Sequence, residues 1–142
     1  MNEIAYEDQY QAAVSDTLRI LGRAATVEDR PVQVDTNAWL HDRFTRNIEH
    51  LRAGSARLCS HITSAPMPVH TAAWAIDIVV CTDCVEALQP SDDEEIRCDR
   101  CHRSAPAIYT GFAACGPVLM AYGLCATCTI ATRIPTPNTF TN

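Results

Sequence analysis

Residues 98–128 read CDRCHRSAPAIYTGFAACGPVLMAYGLCATC, bounded by Cys98-Asp-Arg-Cys101 at one end and Cys125-Ala-Thr-Cys128 at the other. Twenty-three residues separate the two pairs. They spell a strand from Ile108 to Phe112, a turn at Gly116-Pro117 and a second strand from Val118 to Leu124. A C-x-x-C turn points two sulfurs into one concavity, and a hairpin brings a second pair back to face the first. Four thiolates so placed can close a tetrahedron around one ion, with metal–sulfur bonds of about 2.3 Å for zinc. The second strand is apolar on both faces, so it is either central in a sheet or covered by a partner.

Two C-x-x-C knuckles joined by a β-hairpin resemble a zinc ribbon, and the resemblance covers residues 97–129. Upstream lie a third C-x-x-C pair, Cys81-Thr-Asp-Cys84, and a tighter pair, Cys59-Ser-His61. The chain therefore offers seven thiolates and one imidazole, the ligand count of two tetrahedral zinc sites. The expected sites are Cys59, His61, Cys81 and Cys84, then Cys98, Cys101, Cys125 and Cys128. In an extended segment residues i and i+2 face the same side, which lets Cys59 and His61 converge. A strand from Ala72 to Val80 then carries the chain into Cys81. Two alternatives stay open: His70 in place of His61, and an interleaved pairing of Cys59/His61 with Cys98/Cys101. Cys115, the eighth cysteine, reads as a packing residue.

Ahead of this region the texture is helical. Tyr6, Tyr10, Ala13, Val14, Thr17, Leu18 and Leu21 recur at spacings of three and four, which predicts a helix from Glu3 to Arg23. Glu28-Asp-Arg-Pro31 breaks it. Thr36 is the expected N-cap of a second helix, Asn37 to Ala53, with Gly54 as its stop. Its apolar stripe is Leu40, Phe44, Ile48 and Leu51, with Trp39 alongside. The expected fold is α+β: an N-terminal helical hairpin (1–55) packed on a tandem zinc module with a zinc-ribbon β-hairpin (56–132). A Pro/Thr-rich tail (133–142) follows.

With 142 residues, 47% of them hydrophobic and 20% charged, the chain has enough apolar content to fold and is not wholly disordered. A net charge of −6 argues against a general polyanion binder. That charge is unevenly spread: residues 62–96 carry seven acids and no Arg, whereas 97–142 carry four Arg and one acid. All 11 basic residues are Arg. The uncharged run Ser104–Thr132 is interrupted by Gly116-Pro117 and reads as a buried hairpin, so no membrane span is expected. The acidic start Met1–Asp8 shows no apolar leader, so the expected location is the cytoplasm, where Cys pairs bind metal more often than they form disulfides.

Catalysis is not expected. Each presumptive site has a full set of four protein ligands, and neither H-E-x-x-H, a Walker loop, G-x-S-x-G nor the H-x-E…P-C-x-x-C deaminase pattern occurs. The order of an Arg-bearing helix, Cys59/His61, Trp74, Cys81/Cys84, Cys98/Cys101 and Gly123-Leu124-Cys125 resembles short zinc proteins of GC-rich actinobacteria and their phages. The expectation is a non-enzymatic protein with two structural zinc ions, working as a protein–protein interaction module or small subunit of a larger assembly, in the cytoplasm or a virion. The alternative is a zinc-ribbon nucleic-acid-binding regulator using Arg97, Arg100 and Arg103. No small-molecule substrate is expected under either reading.

Overall fold

The computed structural model of the protein describes residues 3–27, 32–34 and 37–134. Its elements are α1 (Glu3–Val27), β1 (Val32–Val34), α2 (Ala38–Ala53), β2 (Arg57–Leu58), β3 (Val69–Ala72) and β4 (Ala75–Val80). A 3-10 helix (Thr82–Leu88) follows, then α3 (Asp92–Glu95), β5 (Tyr109–Cys115), β6 (Val118–Leu124) and α4 (Ala126–Thr132). The chain is thus α+β, with a mixed sheet ordered β1-β5-β6-β3-β4 and the two-residue β2 added beside β4.

The doubly apolar β6 is central. It pairs antiparallel with β5 through the Gly116-Pro117 turn and parallel with β3. Gly116 sits at φ +57°, the left-handed conformation the turn demands and glycine adopts without strain, and the Tyr10 hydroxyl of α1 comes within 2.9 Å of where a Cβ would lie. Alternation sends Val118, Met120, Tyr122 and Leu124 into a core with Leu40 and Phe44 of α2. Leu119 points the other way, where it joins Ala114 and Leu21 of α1. The two helices therefore cover opposite faces of the sheet. The expected helical hairpin is not formed, because each helix has its own sheet face to bury and β1 runs between them, parallel to β5.

α1 buries Ala13, Thr17 and Leu21, one stripe at i, i+4 and i+8, and the Thr17 hydroxyl is satisfied by the Ala13 carbonyl at 2.9 Å. Tyr6 and Leu18, expected on that stripe, are about half exposed. α2 is capped by Asn37, whose side chain accepts from the N–H groups of Trp39 and Leu40; Thr36, the expected cap, lies outside the described residues. The Asn37 amide also donates to the Thr132 carbonyl, tying the start of α2 to the end of α4. Gly54 ends α2 in the left-handed conformation, as expected. The buried stripe runs Leu40, Phe44, Asn47; Ile48 is displaced from it. Asn47 donates to the Ile76 carbonyl at 2.8 Å and to the Thr71 hydroxyl at 3.3 Å, anchoring α2 to the β3–β4 pair.

The strand expected over Ala72–Val80 is found as β4, Ala75–Val80, running into Cys81, and its first residue, Ala72, ends the preceding strand β3. β3 and β4 form an antiparallel pair that reverses at Ala73-Trp74, and the Trp74 indole N–H is held by the Leu88 carbonyl at 2.9 Å. Glu28–Pro31 and residues 135–142 of the expected tail lie outside the described residues. Among the described residues, no helix is long and apolar enough to cross a membrane.

Candidate metal centres

The first centre forms where β2 and β4 run side by side and both chains leave the sheet. Cys59 follows β2, and Cys81 directly follows β4. The N–H of Cys81 donates to Cys59 Sγ at 3.3 Å, and the N–H of Cys59 to the Val79 carbonyl at 3.4 Å. Cys81 begins the 3-10 helix, whose tight winding returns Cys84 to the same side, with Cys84 N–H bonded to the Cys81 carbonyl at 3.0 Å. His61 reaches the group by a turn, closed by Ile62 N–H on the Cys59 carbonyl at 3.4 Å, and not by the extended geometry expected. Its Nδ1 lies 3.3 Å from Cys84 Sγ and 3.6 Å from Cys81 Sγ.

The second centre joins two knuckles at one end of the β5–β6 hairpin. The first knuckle spans residues 96–105 and is closed by Cys98 N–H to the Arg103 carbonyl, His102 N–H to the Cys98 carbonyl and Ala105 N–H to the Ile96 carbonyl, all 2.8–2.9 Å. His102 takes the left-handed conformation, φ 63°, that the reversal demands. The other knuckle is the start of α4, with Cys125 as its N-cap residue. Asp99 locks the two together: its N–H donates to the Gly123 carbonyl at 2.9 Å, and its carboxylate accepts the Gly123 N–H at 2.6 Å. Burial pushes the Asp99 carboxyl up to about 7, against the downward pull of that N–H. Nothing in the sequence distinguishes Asp99 from other knuckle residues, and its role is visible only in the fold.

The ligand atoms of Cys59, His61, Cys81 and Cys84 lie within 4.8 Å of one another, as do those of Cys98, Cys101, Cys125 and Cys128. The pairing is sequential, not interleaved. His70 belongs to neither group; it is in β3, with Nε2 3.0 Å from the Thr82 hydroxyl. A tetrahedral ion with bonds of about 2.3 Å to sulfur and 2.0 Å to nitrogen sets S···S edges of about 3.8 Å and N···S edges of about 3.5 Å. Cys101 and Cys125 sulfurs are 3.9 Å apart, and the His61–sulfur distances bracket the second value. Both donor sets therefore fit such an ion, and the sulfur separation is far too long for a disulfide, whose S–S bond is about 2.05 Å.

Electrostatics point the same way. Burial opposes ionisation of Cys59, but N–H groups at Cys81 and His61 hold its thiol down to about 6. In the second centre, burial likewise opposes ionisation of Cys98, and N–H groups at Cys101, Cys125 and Arg100 hold it down to about 7. Its neighbours go the other way: the Cys81 sulfur pushes Cys84 up to about 11, and burial pushes Cys128 up to about 12. In each cluster one thiol is thus held down and another pushed up, burial and the like charge of neighbouring sulfurs both opposing ionisation of the second. A cation at the centre is the counter-charge that lets all the sulfurs ionise.

Arg97, Arg100 and Arg103 are all exposed on the first knuckle of the second centre. Arg100 is turned onto the sulfurs, with Nη1 3.5 Å from Cys128 Sγ and its N–H 3.4 Å from Cys98 Sγ. The two centres differ in depth. Cys98 and Cys128 belong to the main core, while the first centre is peripheral, with His61 exposed and Cys59 and Cys84 half-buried. No protein-family model, curated protein or solved structure matches the chain. Fold and site together define an α+β protein with two clusters of four Cys/His donors, each able to hold a metal ion.

Proposed function

We propose that both clusters hold structural zinc, two ions per chain, and that the protein is a non-catalytic interaction module or small subunit of a larger assembly. The carrying observation is the convergence of four protein donors in each cluster. Catalytic zinc keeps three protein ligands and an open position, whereas a closed set of four serves folding. The soft thiolate donors favour zinc over hard cations such as magnesium and calcium. A reducing compartment such as the cytoplasm suits eight free thiols. The β5–β6 hairpin with its two knuckles is the ribbon-like part of this design, set inside a larger sheet instead of standing alone. Kinship with short actinobacterial and phage zinc proteins is part of the same proposal.

The nucleic-acid reading is weaker. Arg100 is engaged with the Cys128 sulfur, and Arg97 shares its surroundings with Glu94 and Glu95, which repel phosphate. Affinity purification of the tagged full chain with and without nuclease, followed by native mass spectrometry, tests both readings. Two zinc ions per chain and a fixed-stoichiometry protein partner that survives nuclease are expected. Loss of every partner on nuclease treatment refutes the interaction reading in favour of the Arg97/Arg100/Arg103 surface. A metal-free folded chain refutes the zinc.

A further inference from the structure

The two centres meet solvent differently. In the first, Cys59 and Cys84 are half-buried, His61 is exposed and only Cys81 is buried. The sulfurs there pack on a small cluster of Ala72, Val80 and Leu88, apart from the main core. In the second, Cys101 and Cys125 are half-buried, but Cys98 and Cys128 are sealed in the main core and the Arg100 guanidinium rests on the Cys128 sulfur. An oxidant therefore reaches sulfur in the first centre, and an ion can leave it, without the core being opened. The second centre cannot give up an ion on those terms.

Resting on the zinc reading above, we propose that the first centre is a site of reversible oxidation, in which hydrogen peroxide joins Cys59 to Cys84 as a disulfide and releases the zinc, while the second centre keeps its own. The pair is set by access, since these are the two sulfurs of the cluster that solvent approaches. All the donor atoms lie within 4.8 Å of one another, so reaching a bond of about 2.05 Å asks each sulfur to move by at most about 1.4 Å. The Cys59 thiolate attacks the peroxide O–O bond, giving a sulfenic acid and one hydroxide. The Cys84 thiolate then displaces the second hydroxide as the S–S bond forms, so two sulfurs each lose one electron and two oxygens each gain one. Cys81 and His61 are left as the only free donors, too few to hold the ion. Because Cys59 follows β2 and Cys84 lies in the 3-10 helix, the new bond takes over the ion's role of tying those segments together.

The test adds limiting hydrogen peroxide to the zinc-loaded full chain and follows zinc per chain by native mass spectrometry. The product is cleaved before Asp77 and Asp83, which puts Cys59, Cys81 and Cys84 on three separate peptides. The first zinc should be lost about tenfold faster than the second, in step with a crosslink between the Cys59 and Cys84 peptides. A thiol reductant with added zinc should restore two ions per chain. Loss of both ions together, a crosslink that engages Cys81, or oxidation that the reductant does not reverse overturns the proposal. Two ions before peroxide, followed by any of those results, leaves the zinc reading standing; a chain that holds no zinc before peroxide refutes both.

Discussion

Replacing one cysteine in each centre should have sharply unequal consequences, because the two centres are embedded differently. Cys98 is fully buried in the core that contains Leu40, Phe44, Met120, Tyr122 and Leu124. A structural zinc site is worth about 10–16 kcal/mol in zinc-finger peptides, while a domain's entire net stability is about 5–15 kcal/mol. Cys98→Ser removes a ligand, leaves a hydroxyl in an apolar core and loosens the knuckle and α4, whose Cys98 and Cys128 share one core cluster with Leu124, Tyr122 and Ile134. Each buried side chain of that size contributes about 1.5–3 kcal/mol, so losing all three removes roughly 5–9 kcal/mol on its own. The chain should not fold. Cys84, by contrast, is half-buried in a small cluster with Ala72, Val80 and Leu88. Cys84→Ser should fray β2 and the 3-10 helix, uncover Leu88 and part of Trp74 for about 3–5 kcal/mol, and leave the main core intact. The two tryptophans report on these regions separately, since Trp39 packs edge-on against Tyr122 in the main core and Trp74 lies in the peripheral cluster. In nitrogen–proton correlation spectra, Cys84→Ser should shift the Trp74 indole alone and retain one zinc. Cys98→Ser should collapse both indole signals. A Cys98→Ser protein with a dispersed Trp39 signal and one bound zinc refutes the reasoning.

Asn47→Ala should destabilise the zinc-loaded protein by roughly 1–3 kcal/mol in urea unfolding, because it leaves the Ile76 carbonyl without its partner beneath α2. His70 should titrate below the ordinary imidazole value of 6.5 when followed by NMR, since burial disfavours its charged form. Its folded value is the depressed one, so its contribution to stability is full above about pH 6.5 and is lost as pH falls toward that lower value. A His70 midpoint at or above 6.5 contradicts the burial. Arg100→Gln should leave fold and zinc content unchanged but speed zinc release from the second centre by peroxide, because the guanidinium beside Cys128 Sγ no longer withdraws charge from the sulfur. Equal release rates would mean that the contact is incidental.

The clusters were legible because chelation is a local problem. A C-x-x-C turn places two sulfurs together whatever the rest of the fold does, and the strand–turn–strand between Cys101 and Cys125 states how the second pair returns. What decided His61 over His70 was not local. Both are near Cys81 in sequence terms, but His70 lies in β3 and bonds to Thr82, and only the turn after β2 delivers an imidazole to the sulfurs. The β3–β4 reversal was hidden because Ala73-Trp74 carries none of the Gly, Pro, Asn or Asp that mark a turn. Asn47 was hidden because an apolar stripe is read by hydropathy, and its burial is stabilised by acceptors, Ile76 and Thr71, that only the tertiary fold supplies.

The placement of the helices was within reach, and the missing step was to combine two readings. An amphipathic stripe says that a helix buries one face without saying against which layer. Val118–Leu124, however, is apolar on both faces, which requires cover on both sides of the sheet. A helical hairpin stacked on one side would leave Leu119 and Ala121 bare on the other. One helix per face satisfies α1, α2 and β6 together, and that is the arrangement found.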